Sequence, residues 1–236
     1  MISKTRLFTG LIIALTLVLA ACGGADVAPA PVPTMAPEPE PVQEEPVAEG
    51  VRTFTVDPTE SQASYIVDEE FFADALGKLG IEAGDKVVVG TTTGVTGQIQ
   101  LNPNNPDMVE AAQFTVDMRG LATDQDRRDK WLRENAIESD VFPVTTFTAV
   151  SATGLPASIT DGEPVSFQLN GDLTVRDVTK NVTFDVTASI SGDTLEGTAT
   201  LSLNMTDFGI DPPSFANTLT VADPFTIEVT LTAREG

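Results

Sequence analysis

Hydrophobic and polar residues alternate along most of the chain after residue 50. In the clearest runs every second residue is apolar, and these runs cover 112–118, 182–186, 195–205 and 225–233. Successive side chains of a β-strand point to opposite faces of a sheet, so this period of two predicts strands with one buried face. Such half-buried strands are typical of antiparallel sheets.

Weaker alternation predicts further strands at 52–56, 63–67, 87–101, 144–152 and 165–175. Two segments follow a helical period instead, namely 69–79 and 124–137, and Asp124 is available as the N-cap of the second helix. Eight or nine strands with one or two short helices predict an all-β domain. The periodicity does not choose between a closed barrel and a sandwich.

The first 21 residues have the three-part composition of a secretory signal peptide. Lys4 and Arg6 precede a short apolar run, and small residues follow it. The segment Leu19-Ala20-Ala21-Cys22 resembles the bacterial lipobox, whose cysteine is acylated and becomes the first mature residue. Cys22 is the only cysteine, so it has no disulfide partner in an exported protein. The sequence predicts a signal peptide over residues 1–21 and lipidation of Cys22.

Residues 22–50 are rich in proline and acidic residues and contain no aromatic residue. Such a segment lacks the apolar side chains of a core, and like-charge repulsion favours an extended chain. We expect a disordered stalk, with a proline-rich docking motif as the alternative. The remaining residues, 51–236, have the length of one domain.

Composition narrows the classes of function. The formal net charge is −22, which opposes binding to nucleic acid or to anionic membrane surfaces. Histidine is absent, which excludes His-dependent triads and most transition-metal sites. The acidic residues of the strands fall on their polar faces, where solvated carboxylates are common. We therefore expect no catalysis and no cofactor apart from a bound lipid.

Several segments resemble the YceI family in order and spacing. The first is TDQDRRDKWLRENAIESDVFPVTTF at 123–147, and the second is LNGDLTVRDVTKNV at 169–182. MTDFGI at 205–210 and VADPFTIEVTLTA at 221–233 are similar to the family's turn and closing strand. The opening FTVDPTESQASYIV is similar to its first hairpin. Two features depart from the family: an insertion at 69–84, and Trp131 where a histidine is common.

The resemblance implies a lipocalin-like antiparallel barrel of eight strands, exported to the cell envelope. It also implies an apolar cavity that holds an isoprenoid lipid, such as a quinone or a prenyl diphosphate, for storage, shielding or transport. An eight-stranded barrel has room either for packed side chains or for one small ligand. The candidate cavity-lining residues are Phe71, Phe72, Phe114, Met118, Phe147, Phe167, Phe184 and Leu203.

Several alternatives stay open at this point. Phe71, Phe72, Leu76 and Leu79 would form either a lid at the cavity mouth or a surface helix on the barrel. The inward residues would line a cavity or fill a solid core. A solid-cored barrel would suit an interaction module that binds another envelope protein, and two barrels would pair in a homodimer or remain single. Trp131 is expected to be a packing anchor rather than a ligand contact.

Three arginines are candidates for contact with a polar head group: Arg127, Arg128 and Arg133. A guanidinium group binds a diphosphate or a quinone oxygen well. The structural alternative is that Arg128 and Asp129 pair or cap locally. The lipid anchor would hold the domain at the outer face of the cytoplasmic membrane or at an outer membrane, in the periplasm or its equivalent.

Overall fold

The computed structural model describes residues 50–72, 84–102, 105, 109–215 and 218–236. The predicted signal peptide and nearly all of the predicted stalk lie outside these residues. The described strands are β1 (Arg52–Val56), β2 (Gln62–Phe71), β3 (Gly84–Thr92), β4 (Val95–Leu101), β5 (Val109–Asp117), β6 (Val144–Thr153), β7 (Val165–Val175), β8 (Val178–Ser191), β9 (Thr194–Asn204), β10 (Ser214–Phe215) and β11 (Leu219–Glu235). The α-helix α1 spans Asp126–Trp131 and continues as a π-helical turn, Leu132–Ala136.

The sheet closes on itself through β11. This strand pairs with β9 on one side and with β2 and then β1 on the other. β1 and β2 therefore share one strand position in the barrel wall, and we call each such position a stave. β3 and β4 share the next stave, since β2 pairs with β3 and β1 pairs with β4. With β5 to β9 and β11 the ring has eight antiparallel staves. The prediction of an all-β, eight-stranded barrel is confirmed.

Alternation along the strands places apolar residues inside the barrel. In β7 the side chains of Leu169, Leu173 and Val175 are buried, while Gln168 and Asp172, each directly preceding one of the two leucines, are exposed. The outer face carries hydroxyl and amide pairs across strands, for example Gln168 Nε2 donating to Asp185 Oδ1 at 3.2 Å. Burial of the inner face sets the register, because a slip of one residue would expose it.

The local structure differs from the sequence prediction in two places. Glu69 to Phe71 were predicted to be helical, but they extend β2 because they pair with 219–221 of β11. The rest of that predicted helix, including Leu76 and Leu79, lies outside the described residues. The predicted strand 87–101 is interrupted between β3 and β4, where Gly94 N donates to Thr92 Oγ1 at 3.1 Å.

The second predicted helix is present but shorter than predicted. The prediction of its N-cap residue was wrong. The cap residue of α1 is Gln125 rather than Asp124. The Asp124 carboxylate instead accepts hydrogen bonds from Lys86 of β3 and from Arg128 within α1. The Asp124 side chain therefore binds Lys86 of β3 instead of capping the N-terminus of α1.

The two ends of the barrel are built differently. The helix end carries α1, its π-helical turn, the β7–β8 turn and the 3-10 turn Met205–Phe208. The loop end carries the connections between β6 and β7 and between β8 and β9, together with the first and last strand residues, Arg52 and Glu235. No helix in the described part of the chain is long and apolar enough to cross a membrane.

Candidate functional site

A cavity of about 260 Å³ lies inside the barrel. Its wall includes Leu121, Ala136 and Phe208 at the helix end, and Leu101 and Ile190 at the loop end. Every barrel stave contributes side chains to the wall, and wall residues lie at both ends, so the cavity is surrounded by the sheet and follows the barrel along its length. The interior of the described barrel is therefore not completely filled by its own side chains.

The cavity wall carries no charged side chain among the residues that the structure describes. Its polar members are hydroxyl residues: Ser64, Tyr65, Thr92, Thr145, Thr146 and Thr198. All other wall residues are aliphatic, aromatic, Met or Gly. Burying an unpaired charge in such a space is costly, whereas a hydrocarbon chain loses nothing by leaving water. The composition of the wall is therefore suited to an apolar molecule rather than to a charged one.

Three phenylalanines form a continuous aromatic surface in the wall. The ring centroids of Phe114 and Phe147 are 6.5 Å apart with nearly parallel planes, and those of Phe147 and Phe184 are 5.1 Å apart in an edge-to-face arrangement. Such offset and edge-to-face pairs are favourable because positive ring edges meet negative ring faces. The three rings hold one another in place on β5, β6 and β8.

Tyr65 is the one ionisable residue that the described wall contains. Burial raises the pKa of its hydroxyl above the ordinary value, and the nearby Arg128 opposes this shift more weakly. The hydroxyl therefore stays neutral at physiological pH and can donate or accept a hydrogen bond. None of the side-chain hydrogen bonds between described residues involves it. The sequence offered one hint, since Tyr65 alternates in phase with Ala63 and Val67, which are buried.

The Arg128 guanidinium is held by carboxylates rather than turned to the cavity. Its Nε and Nη2 donate to the two oxygens of Glu69, each at 3.0 Å, and both side chains are nearly buried. It also pairs with Asp124. Burial acts to lower the pKa of Arg128, but the hydrogen bonds with Glu69 and Asp124 outweigh it and raise the pKa above its ordinary value.

Arg128 and Asp129 do not pair with each other, but each binds a residue nearby in the sequence, Asp124 and Thr123 respectively. The buried Asp129 carboxylate accepts instead from the Thr123 backbone N–H at 2.8 Å and from the Thr123 hydroxyl at 2.7 Å. Arg127 is exposed and Arg133 is half-buried. None of the three candidate arginines belongs to the cavity wall.

Five of the predicted lining residues lie in the cavity wall: Phe114, Met118, Phe147, Phe167 and Phe184. Their role in binding stays a prediction. Leu203 is outside the described wall and packs against the buried cluster around Phe208. Phe71 and Phe72 also lie outside the wall. They are half-buried where β2 extends beyond the barrel, and Phe72 N donates to Thr218 O at 2.9 Å.

Trp131 packs at the end of α1. Its ring meets Phe215 edge to face with centroids 5.8 Å apart, and it contacts the buried cluster at the helix end. This is the packing position that the sequence indicated. Within the described residues, no group of three or more acidic or cysteine side chains is arranged to hold a metal ion.

An eight-stranded antiparallel barrel closed around an apolar cavity has the lipocalin-like fold. The YceI-like domain family matches residues 54–233, so the chain belongs to that family. No curated protein sequence matches the chain.

Solved structures of the same fold come from several bacteria. BcnA of Burkholderia cenocepacia superposes with a TM-score of 0.56 at 17% identity, covering 75% of this chain and 98% of that one. A polyisoprenoid binding domain from Saccharophagus degradans, implicated in plant cell wall breakdown, gives 0.56 at 12% identity and covers 78% and 98%. The YCEI protein of Campylobacter jejuni gives 0.51 at 15% identity and covers 62% and 84%. These similarities show the fold.

Proposed function

We propose that this barrel binds an isoprenoid-type lipid with an uncharged head group, for storage, shielding or transport. The observation that carries the proposal is the cavity wall, which follows the length of the barrel and contains no charged side chain among the described residues. A methyl-branched hydrocarbon chain matches such a wall in polarity. The Saccharophagus degradans domain of the same fold, named for polyisoprenoid binding, supports this choice of ligand.

The electrostatics favour a neutral head, such as a quinone or a prenol, over a prenyl diphosphate. Arg128, the cation whose charge acts on Tyr65, is already paired with Glu69 and Asp124. Asp129 adds a further negative charge in the same region. A diphosphate placed there would lose its hydration without gaining a free cation, and the cost would exceed the gain from burying its chain.

The Tyr65 hydroxyl provides a fitting partner for a neutral head. It belongs to an otherwise apolar wall and is kept uncharged by burial. A quinone carbonyl would accept a hydrogen bond from it, and a prenol would donate or accept one. A buried hydrogen bond of this kind contributes on the order of 1 kcal/mol.

The cellular placement belongs to the same proposal and is supported by the sequence. The lipobox-like segment ending at Cys22 would anchor the mature chain in a membrane of the cell envelope through two or more acyl chains. The Pro- and Glu-rich residues 22–50 would then act as a tether of roughly 90 Å at about 3.1 Å per residue. Such reach keeps the barrel close to the bilayer that contains the lipid.

The ligand proposal is tested by purifying residues 50–236 and extracting the protein with organic solvent for mass spectrometry. We expect an isoprenoid in the extract. We also expect the emptied barrel to bind geranylgeraniol, and geranylgeranyl diphosphate at least roughly tenfold more weakly, since an unpaired buried charge is costly. Equal or tighter binding of the diphosphate would contradict a neutral head. Binding of neither compound would contradict lipid binding itself.

A conservative variant tests the role of Tyr65 within this proposal. Tyr65→Phe keeps the ring and removes the hydroxyl, so a short-chain ubiquinone should bind roughly fivefold more weakly. Binding of squalene, which has no head group, should be unchanged. The exposed Val89→Ala on the adjacent strand is the control. An equal loss for both ligands would mean that the hydroxyl supports the fold rather than the head group.

The lipid anchor is tested in the full-length chain expressed in a bacterium. Wild-type protein should incorporate labelled fatty acid and stay with the membrane fraction, whereas Cys22→Ser should do neither. Fatty-acid labelling of the serine variant would contradict acylation at Cys22.

A further inference from the structure

Two aromatic side chains of the cavity wall lie directly opposite glycines of the neighbouring strand. Tyr65 of β2 faces Gly90 of β3, and Phe114 of β5 faces Gly97 of β4. A Cβ atom added at Gly90 would lie 2.2 Å from Tyr65 Cε1, and one at Gly97 would lie 2.8 Å from Phe114 Cδ1. Each ring therefore occupies the space that a side chain on the neighbouring strand would fill.

A third aromatic residue of the wall repeats the arrangement. A Cβ atom added at Gly171 of β7 would lie 2.5 Å from Phe147 Cζ, although these two residues are diagonal rather than opposite. We refer to Gly90, Gly97 and Gly171 as the glycine seats. They lie on three different strands, and each receives an inward-facing ring from an adjacent strand.

The position of the rings has a consequence for the space inside the barrel. A ring held over a glycine forms part of the wall, because its edge reaches the backbone of the next strand. The sheet lies behind the ring, so displacement of a ring from its seat moves it towards the barrel interior. The cavity is about 260 Å³, and a single displaced ring would take up a substantial part of its cross-section.

We propose that the glycine seats determine the width of the cavity and thereby allow methyl-branched chains to enter. This inference rests on the proposed lipid-binding function and identifies the residues that set its chain selectivity. A methyl branch at every isoprene unit makes the chain wider than a linear alkyl chain. A cavity kept wide by seated rings fits the branched chain closely, whereas a linear chain leaves gaps that forfeit dispersion contacts.

The three glycine seats differ in how much backbone strain an alanine substitution would cause. At Gly97 and Gly171 an added Cβ would also lie 2.4 Å from a backbone carbonyl oxygen, that of Gln113 and that of Thr148 respectively. At Gly90 its nearest neighbours are all Tyr65 ring atoms. Gly90→Ala is therefore the variant that displaces a ring with the least strain in the sheet.

The experiment compares geranylgeraniol with a linear alcohol of the same main-chain length, bound to residues 50–236 and measured by displacement of a fluorescent lipid. Both ligands carry one hydroxyl, so the ratio of their affinities reports the chain alone. Gly90→Ala moves the Tyr65 hydroxyl for both alcohols alike, but only the branched chain should meet an overpacking penalty, so the ratio of branched to linear affinity should fall roughly tenfold. Val89→Ala, facing outward on the same strand, should leave the ratio unchanged.

Removing the displaced ring provides the decisive control. The double variant Tyr65→Ala, Gly90→Ala should recover at least the wild-type ratio of branched to linear affinity, because no ring is left to enter the cavity. A folded Gly90→Ala variant with the wild-type ratio would overturn the proposal. A double variant that stays as selective against the branched chain as Gly90→Ala would overturn it as well.

A second single variant covers the case in which Gly90→Ala does not fold. Tyr65→Leu leaves Gly90 in place and shortens the wall side chain, so the cavity widens and the ratio should shift further in favour of the branched chain. An unchanged ratio in Tyr65→Leu would overturn the proposal. Failure of the wild-type barrel to bind either alcohol would instead contradict lipid binding itself, and the two failures are thereby distinguishable.

Discussion

The two ends of the barrel close the same cavity with different chemistry. At the helix end the wall residues Leu121, Ala136, Phe208 and Ile210 are at most 8% exposed. At the loop end several wall residues are only half-buried, namely Val109, Leu155, Ile159, Val165 and Ile190. The wall at the helix end thus includes fully packed residues, whereas the β6–β7 connection at the loop end leaves the apolar side chains of Leu155 and Ile159 in partial contact with water.

The charged groups follow the same division. At the helix end Arg128 and Glu69 form a nearly buried ion pair that joins α1 to the extended β2. At the loop end Arg52 pairs with Glu235, and each side chain is 33% exposed. Buried pairs tolerate the loss of one partner badly, while exposed pairs contribute little. The helix-end ion pair is therefore expected to contribute more to the stability of the fold than the loop-end pair does.

The largest expected contrast comes from truncating one wall residue at each end. Phe208→Ala should lower the free energy of unfolding by about 3 kcal/mol or more, because it opens a void in a packed region. Leu155→Ala should lower it by less than about 1 kcal/mol, since its side chain is already partly hydrated. Urea unfolding of both variants measures the difference. Similar losses would show that the loop end is packed as firmly as the helix end.

A smaller contrast is expected between the two arginines. Arg128→Met leaves the Glu69 carboxylate buried without its partner and should cost about 3 kcal/mol. Arg52→Met removes a half-exposed pair and should cost no more than about 1 kcal/mol. Chemical denaturation at neutral pH checks both values. If Arg52→Met cost as much as Arg128→Met, burial would not be what separates the two ends.

How far the sequence predicts this division depends on how local each interaction is. Strand alternation correctly placed Phe114, Phe147 and Phe184 on inward faces, because the period of two is a local property. The partner of Arg128 was missed, since Glu69 lies 59 residues earlier and pairs only after β2 and α1 meet. Glu69 itself was predicted to be helical and is held in a strand by pairing with β11.

The hydrophobic periodicity did not predict the cavity either, because a cavity also depends on contacts between distant strands. Inward-facing residues give the same alternating sequence pattern whether they fill a solid core or line a cavity. The glycine seats depend on cross-strand register, which joins Tyr65 to Gly90 and Phe114 to Gly97 only in the closed sheet. The family resemblance predicted the cavity, and the register explains how the aromatic rings leave it open.

The smallest expected effect is a sensitivity to acid that both ends share. At the helix end, hydrogen bonds from Arg119 lower the pKa of Asp117 to about 2. At the loop end, Arg52 lowers the pKa of Glu235 below its ordinary value. Carboxylates with depressed pKa values stabilise the fold above their ordinary pKa. That contribution is lost as the pH falls towards the folded-state value.

Thermal unfolding between neutral pH and about pH 2 measures this sensitivity. Asp117→Asn and Glu235→Gln should each slightly reduce the fall in melting temperature at acidic pH. The pH dependence above about pH 6 should be unchanged. If both variants lost stability at acidic pH in the same way as the wild type does, the ion pairs of Asp117 and Glu235 would not contribute to the stability of the fold.

A substitution at Ala199 shows whether the barrel interior is a ligand space or a solid core. This residue is half-buried, belongs to the cavity wall, and lies opposite Val186 and Val229. The measurement is the free energy of unfolding of the ligand-free Ala199→Phe barrel. We expect it to stay within about 0.5 kcal/mol of the wild type or to increase, because the ring enters existing space. A loss of about 1–3 kcal/mol, as overpacking a solid core produces, would show that the interior is filled by its own side chains.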